Sequence, residues 1–171
     1  MSFIAGSRGA VVRREYRRRL TPVVSTIIAS LAAAMPIVTQ SPLVPELSLL
    51  VVISWRLLRP EVWPAWAALP LGLFNDLVAG HPLGQSMATW TILFLACDYI
   101  DSRLGFRDYW MDWIIAACAI AFYIAAAWYI GLLMGASIPF TVMLPQLAVS
   151  ILVYPFVARI ILALDRWRLA R

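Results

Sequence analysis

The sequence predicts an all-α integral membrane protein with six transmembrane helices in a compact bundle. Three observations lead to this prediction. Hydrophobic residues make up 63% of the 171 residues and charged residues only 13%, whereas soluble domains hold roughly 45–50% and about 25%. The apolar residues form six runs, and the 14 basic residues, all arginine, gather near the ends of those runs. Because a soluble domain of this length leaves much of its surface in water, the excess of apolar residues indicates that lipid covers the outside.

The six runs follow one another with short polar breaks. They cover about residues 20–38, 43–58, 62–78, 85–99, 110–134 and 139–164. The breaks lie at 39–42, 59–60, 79–82, 101–108 and 135–138. Each run is interpreted as one helix. Three proline residues, one in the third run and two in the sixth, are expected to kink their helices: Pro70, Pro145 and Pro155.

The second and fourth runs are short for a membrane crossing. A helix needs about 20 residues to cross the hydrocarbon core of a bilayer, within a range of roughly 17–25. We therefore expect either local thinning of the bilayer or snorkelling of flanking side chains such as Arg56. A re-entrant segment is the alternative for either run.

The arginines predict the orientation of the helices, because arginine-rich loops stay in the cytoplasm. With six crossings, the four cytoplasmic pieces carry six, two, two and four arginines, and the three outer loops carry none. The sequence therefore predicts a basic cytoplasmic arm at 1–19, a transmembrane domain at 20–164 and a basic cytoplasmic tail at 165–171. Three tryptophan residues are expected near the inner interface, namely Trp55, Trp63 and Trp110, and Trp167 is expected just beyond it.

Several function classes are excluded by composition. The net charge of +5 does not indicate nucleic-acid binding, because the arginines flank apolar runs. Cys97 and Cys118 lie within apolar runs, so we expect packing residues rather than a disulfide or a metal pair. The chain has one histidine and no pattern of a nucleophile with a base, a phosphate loop or a zinc site. We expect no enzyme activity, no cofactor and no metal.

Aspartates cluster at the predicted loop between the fourth and fifth helices: Asp98, Asp101, Asp108 and Asp112. Such a cluster at a membrane face can bind magnesium for phosphoryl transfer. The interpretation that we prefer is a solvated loop of mixed charge, in which Asp108 and Asp112 favour the start of the fifth helix.

The pair Asn75–Asp76 lies near the outer end of the third run and is the most informative polar feature. An ionisable residue in a spanning helix is costly and indicates a function by default, so Asp76 is a candidate for ligand, proton or partner binding. The alternative is a carboxylate that holds the following turn through backbone N–H groups. Because no arginine is predicted on that side, we expect Asp76 to be hydrated, protonated or hydrogen-bonded to neighbours such as His81 or Gln85.

The residues after Asp76 predict a tight outer turn. Gly80, Pro82 and Gly84 are typical turn residues, and Gln85 follows them at the start of the next run. All four are candidates for a structural or partner-binding role.

Two further candidate features lie elsewhere in the chain. Glu46 follows Pro45 and is expected to open the second helix, where the helix dipole favours a negative charge. Gly131 and Gly135 have the spacing that lets two membrane helices approach closely, which makes them candidates for a homodimer contact.

Two stretches resemble a known family. The run 72–85, Gly-Leu-Phe-Asn-Asp-Leu-Val-Ala-Gly-His-Pro-Leu-Gly-Gln, resembles the characteristic motif of MreD, the rod-shape-determining membrane proteins of bacteria. The run 45–60, which opens with Pro-Glu and closes with Arg-Pro, is similar to the second segment of that family. Asn75 departs from the pattern, since an aliphatic residue is more usual there. The architecture also resembles the six-helix substrate-binding components of energy-coupling-factor vitamin transporters.

The first resemblance implies a non-enzymatic subunit of the elongasome in the bacterial cytoplasmic (inner) membrane. It implies binding to an MreC-like protein and an indirect link to RodA, its partner transpeptidase and MreB, through which lateral peptidoglycan synthesis and rod cell shape are regulated. The second resemblance implies the alternative, a vitamin-binding transporter subunit. Contacts with anionic lipids at the basic face and a homodimer within the assembly are further expectations.

Overall fold

The computed structural model of the chain describes residues 8–33, 44–103 and 108–169, with side chains from residue 20 onward except that of Ala33. These residues form six α-helices and no β-strand. The helices are α1 (Arg8–Ala33), α2 (Leu47–Leu58), α3 (Ala68–Ala79), α4 (Gln85–Arg103), α5 (Tyr109–Leu133) and α6 (Leu144–Leu169). Short 3₁₀ turns occupy Pro60–Val62, Ala65–Ala67 and Phe140–Met143. The predicted all-α class is confirmed.

The helix bounds differ from the apolar runs at several places. Helix α1 begins within the predicted basic arm, and α6 continues into the predicted tail, because arginine is a good helix former and sets no boundary. The third run opens with 3₁₀ turns, and its α-helix begins only at Ala68. Pro60 and Pro64 precede that helix, and proline supplies no N–H to a helix interior. The end of the first run, 34–38, lies outside the described residues.

The expected kinks are wrong for two of the three prolines. Pro70 and Pro145 lie in the first turns of α3 and α6, where the missing N–H costs no intrahelical hydrogen bond. Pro155 lies inside α6, as expected.

Helix α2 is the central element of the bundle. It packs against α1, α4, α5 and α6, and nine of its 12 residues are buried. At about 1.5 Å per residue the helix is about 18 Å long, shorter than the roughly 30 Å hydrocarbon core. The snorkelling expected of Arg56 is wrong, because this side chain is only 1% exposed and pairs with Asp98 and Asp101 of α4.

The exterior of the bundle is apolar. Two helical stretches are long and apolar enough to cross a membrane, namely Tyr109–Leu133 and Phe140–Leu169. In the most apolar stretch of each, only 28% is buried inside the bundle. The core helix of a soluble protein would be mostly buried, whereas here large apolar side chains such as Leu152 and Phe156 face outward. The other apolar helical stretches are shorter: Leu20–Ala32, Leu47–Leu58 and Ala65–Ala79. A membrane environment is therefore indicated, and the crossings by the remaining helices stay predictions.

The two ends of the bundle differ in charge. The carboxyl ends of α2, α4 and α6 meet at one end, where Arg56 pairs with Asp98 and Arg59 pairs with Asp165. We call this the arginine-rich end. The opposite end contains the start of α2, the turn between α3 and α4, and the loop between α5 and α6; it carries no arginine among the described residues and is called the arginine-free end.

Two of the predicted interfacial tryptophans are instead core residues. Trp55 and Trp63 are buried. The indole nitrogen of Trp55 donates a hydrogen bond to the Ser25 hydroxyl of α1 at 2.8 Å, so this ring joins α2 to α1 and does not reach a headgroup layer. Trp110 and Trp167 are exposed, which fits an interfacial position.

Candidate functional site

The polar residues singled out in the third run lie where α3 packs against the start of α4. Gly72, Asn75 and Asp76 are spaced three and four residues apart, so they share one face of α3. All three are buried, and this face meets Ser86 and Met87 of α4. We call this contact the α3–α4 corner.

Both carboxylate oxygens of Asp76 accept hydrogen bonds from backbone N–H groups. Oδ2 accepts from Gly84 at 2.9 Å and from Met87 at 3.4 Å, and Oδ1 accepts from Ser86 at 2.8 Å. The N–H groups of the first helical turn have no partner within their own helix, and a carboxylate at this position also favours the helix dipole. Asp76 of α3 therefore acts as the N-terminal cap of α4. The expected side-chain partners, His81 and Gln85, are not the groups that bind it.

The turn after Asp76 has the backbone that its glycines predict. Gly80 ends α3 with φ of 72°, and its N–H donates to the Asp76 carbonyl. Gly84 has φ of 95° and is the third residue of a turn in which the N–H of Gln85 donates to the carbonyl of Pro82 at 3.0 Å. A positive φ at the third position is the geometry of a type II turn, which requires glycine or asparagine.

Gly72 lets the two helix backbones touch. A Cβ atom placed on Gly72 would lie 2.5 Å from the Cα of Met87 and 2.6 Å from its nitrogen. These are backbone atoms and have no freedom to rotate away. The absence of a side chain at Gly72 is therefore what brings the start of α4 within reach of Asp76.

Asn75 adds a side-chain link between three helices. Its amide nitrogen donates to the Ser86 hydroxyl at 3.0 Å, and that hydroxyl lies 3.2 Å from the Tyr123 hydroxyl of α5. All three side chains are buried, so each link replaces a hydrogen bond to water. The amide nitrogen of Asn75 is thereby paired, whereas its Oδ1 is buried and has no hydrogen-bond partner among the described residues.

Glu46 lies at the N-cap position of α2, as expected, but its side chain makes no capping hydrogen bond to the helix backbone. Its carbonyl accepts the N–H of Leu50 at 3.1 Å. Its carboxylate instead accepts a hydrogen bond from the Ser48 hydroxyl at 2.8 Å.

A cavity of about 280 Å³ opens at the arginine-free end. It brings together three candidates that are far apart in sequence, namely Glu46, the Pro82–Gln85 turn and Gly131. We call it the end cavity. Its polar lining also includes His81, Tyr123 and Gln146, and its apolar lining comes from α5 and the start of α6.

Gly131 and Gly135 do not both belong to α5. Helix α5 ends at Leu133, and Gly135 lies beyond it with φ of 90°. The N–H of Ala136 returns to the carbonyl of Gly131 at 2.9 Å, which closes the helix end. Gly135 therefore serves the turn between α5 and α6, and a homodimer contact at these glycines stays a prediction.

The aspartates at the arginine-rich end divide between two networks. Asp98 and Asp101 of α4 pair with Arg56, whose guanidinium also lies 5.9 Å from the ring of Phe94. Asp98 is half exposed. The expectation of a solvated loop is therefore wrong for these two aspartates, because they join α4 to α2.

The second network contains Asp165 of α6. It accepts a hydrogen bond from Arg59 at 2.9 Å and one from Arg168 at 2.6 Å. The guanidinium of Arg168 lies 5.0 Å from the ring of Trp55, within the range of a cation–π contact. Neither arginine of this network was expected to bind a carboxylate.

The remaining candidate residues lie at the start of α5 or within helices. Asp108 precedes α5, where its carbonyl accepts N–H groups of the first turn, and Asp112 lies in that turn. Cys97 and Cys118 are free, one buried and one exposed. The described residues contain no group of three potential metal ligands.

Three important residues were missed by sequence reasoning. Gly72 is the first residue of the stretch that resembles the MreD motif. It lies four residues before Asp76, so the two residues share one face of a helix, and this spacing could have shown that both contact the same neighbouring helix. Ser86 and Tyr123 carried no signal, because their role depends on which helices meet.

The whole chain was compared with known proteins. Neither a curated protein nor a solved structure matches it, so the resemblance to energy-coupling-factor components has no support from a solved structure. One protein family matches, described as rod shape-determining protein MreD, over residues 16–164. This match extends from within α1 to within α6 and contains the whole α3–α4 corner and the end cavity. The chain therefore belongs to the MreD family of rod shape-determining membrane proteins.

Proposed function

We propose that the chain is a non-enzymatic membrane subunit of the bacterial elongasome that binds an MreC-like protein and so regulates lateral peptidoglycan synthesis and rod cell shape. The observation that carries this proposal is the family match over residues 16–164. Its link to RodA, the partner transpeptidase and MreB is indirect, through the MreC-like protein.

The chemistry of the described residues supports a binding role. The carboxylate of Asp76 is occupied by backbone N–H groups, and the carboxylates of Asp98 and Asp165 are occupied by arginines. Carboxylates held in this way join neighbouring helices and stabilise the bundle. The large apolar exterior of α5 and α6 offers surface for lipid and for the transmembrane helix of a partner.

Depletion in a rod-shaped bacterium that encodes the chain tests the proposal. We expect rounded cells on depletion, rescue by the wild-type chain and co-purification of an MreC-like protein with it. Gly131→Ala is a matched control, because the added methyl group meets only the Cβ of Ala136 at 3.9 Å; it should restore both rod shape and co-purification. Cells that stay rod-shaped without detectable protein would disprove the role in shape.

The proposal includes six crossings with both termini in the cytoplasm, a basic arm at 1–19, a basic tail at 165–171 and contacts of the arginine-rich end with anionic lipids. Arginine-rich segments stay in the cytoplasm and are attracted to anionic headgroups. Alkaline phosphatase fused within the turn at Leu83 should be active, because this enzyme works outside the cytoplasm. The same enzyme fused after Arg171 should be inactive, and the reverse pattern would invert the proposed orientation.

A further inference from the structure

The end cavity contains an acidic group without a cationic partner. Glu46 lines the cavity and accepts one hydrogen bond, from Ser48. Among the described residues no arginine or histidine forms an ion pair with it, although His81 lies in the same lining. The carboxylate of Asp76, in the α3–α4 corner, already accepts hydrogen bonds from the backbone N–H groups of Gly84 and Ser86. A carboxylate in a partly enclosed site is costly unless it is paired.

Other polar side chains line the same cavity as Glu46. Gln85 is buried to more than nine-tenths and lines the cavity. Tyr123, whose hydroxyl lies 3.2 Å from the Ser86 hydroxyl, is also part of the lining. Nδ1 of His81 is buried and has no hydrogen-bond partner among the described residues. Gln85 and Tyr123 each carry a donor as well as an acceptor, so the negative charge of Glu46, which has no cationic partner among the described residues, is what favours a cationic donor as the ligand.

The remainder of the lining is apolar. Ile124, Ala127, Leu132 and Met143 form part of the wall. The volume of about 280 Å³ lies near the lower limit of small-molecule sites, which span roughly 300–1,000 Å³. The cavity thus fits a short apolar arm with one polar head and is too small for a lipid-linked sugar.

We propose that the end cavity binds an alkyl cation, namely a guanidinium or primary ammonium group on a short apolar arm, with Glu46 as its counter-ion. The head group donates to the Glu46 carboxylate and to the neighbouring acceptors, and the arm lies against the apolar wall of α5. Two sources have this chemistry: a free small cation, and an arginine or lysine side chain of a partner protein. The proposal does not rest on the proposed cellular role, because binding is measured on the purified chain alone.

Isothermal titration calorimetry of the full chain in detergent tests the proposal with n-butylguanidinium as the probe. We expect saturable binding with a stoichiometry of one. The neutral isostere n-butylurea has the same arm without the charge and should bind at least tenfold more weakly. Equal binding of the two probes, or no binding of either, overturns the proposal.

Glu46→Gln is the decisive variant. It removes the charge but keeps an oxygen that accepts from Ser48, so its thermal unfolding midpoint should match that of the wild type. Its affinity for n-butylguanidinium should fall at least tenfold, and unchanged affinity would overturn the assignment of Glu46. Ala127→Leu places a larger apolar side chain in the cavity lining and leaves the charge of the chain unchanged. It should also weaken binding, and this loss could not come from a change in the attraction of the cationic probe to the protein–detergent surface.

A third probe separates the two sources. Nα-acetyl-arginine methylamide carries the same head group between two backbone amides. Binding of both cations supports a partner side chain as the natural occupant, since the cavity then admits an arm attached to a chain. Binding of n-butylguanidinium alone supports a free small cation, and failure of both overturns the proposal.

Discussion

Asp76 and Asp165 are two buried carboxylates at opposite ends of the bundle, and they are neutralised in different ways. Asp76 is 1% exposed and accepts hydrogen bonds from the backbone N–H groups of Gly84, in the turn before α4, and of Ser86 in α4. Asp165 is 5% exposed and binds the side chains of Arg59 and Arg168. An end without arginine has only the helix N-terminus with which to balance a buried negative charge.

The difference has a mechanical consequence. Arginine side chains have several rotatable bonds and can follow small shifts of their helices. The N–H groups at the start of α4 are fixed by the helix, so Asp76 is satisfied only while α3 and α4 stay in close contact. We therefore expect the arginine-free end to tolerate substitution less well than the arginine-rich end.

The largest effect is expected for Gly72→Ala. The new methyl group would lie 2.5 Å from the Met87 backbone, so α3 and α4 must separate and the hydrogen bonds to Asp76 weaken. We expect a loss of about 3 kcal/mol in the free energy of unfolding, at the upper end of overpacking effects. Unfolding by sodium dodecyl sulfate in mixed micelles measures it.

Gly131→Ala is the control for this substitution. Its methyl group has space, and alanine favours a helix over glycine by about 1 kcal/mol, so this variant should be as stable as the wild type or slightly more stable. Equal losses for the two variants would contradict the close approach at Gly72.

Asp76→Ala comes next. It leaves the N–H groups of Ser86 and Gly84 without their acceptor, and each unsatisfied buried group costs roughly 1–3 kcal/mol. We expect a loss of about 2–3 kcal/mol in the same unfolding assay. Asp76→Asn keeps one acceptor oxygen and should lose about half as much; an Asn variant as unstable as the Ala variant would show that the charge, rather than the acceptor geometry, is essential.

Asp165→Asn should have a smaller effect, because Arg59 is 40% exposed and can turn toward water, where ion pairs contribute little. We expect a loss of about 1–2 kcal/mol, chiefly from the buried Arg168.

Asp98→Asn is the comparison within the same end. Asp98 is half exposed, and Arg56 keeps its ion pair with Asp101, so the loss in the free energy of unfolding should stay under about 1 kcal/mol. A larger loss for Asp165 than for Asp76 would reverse the comparison between the ends.

The smallest effect is expected for Tyr123→Phe. This change removes the hydroxyl that lies 3.2 Å from the Ser86 hydroxyl and leaves the hydrogen bond between Asn75 and Ser86 in place. A single hydrogen bond contributes about 1 kcal/mol, so the loss should not exceed that. A loss comparable to that of Asp76→Ala would mean that the hydroxyl chain, rather than the carboxylate, holds the corner.

Local sequence was sufficient for features that depend on one segment. The six helices follow from apolar runs and breakers, and the positive φ of Gly84 follows from the turn chemistry around Pro82. The helix cap by Asp76 was one of two interpretations, since the same residue also fitted a ligand site. Only the position of the α4 N-terminus distinguishes them.

Patterns with two meanings misled the sequence reasoning. Gly131 and Gly135 have the spacing of a helix-packing motif, but a glycine four residues after another also suits a helix end. Arg56 and Trp55 lie beside a polar break and suggested an interface, yet α2 is surrounded by four helices, and both residues are buried.

The sequence by itself determined the membrane class and, for the described residues, the six helices and the position of the arginines at one end, because these follow from composition and from the order of residues along the chain. Tertiary structure alone decided which groups neutralise each buried charge. It also decided why position 72 requires a glycine, and that Glu46, Gln85 and Tyr123 line one cavity. The reason is physical: these contacts join residues from different helices, and the energy of a buried polar group depends on what the neighbouring helix places beside it.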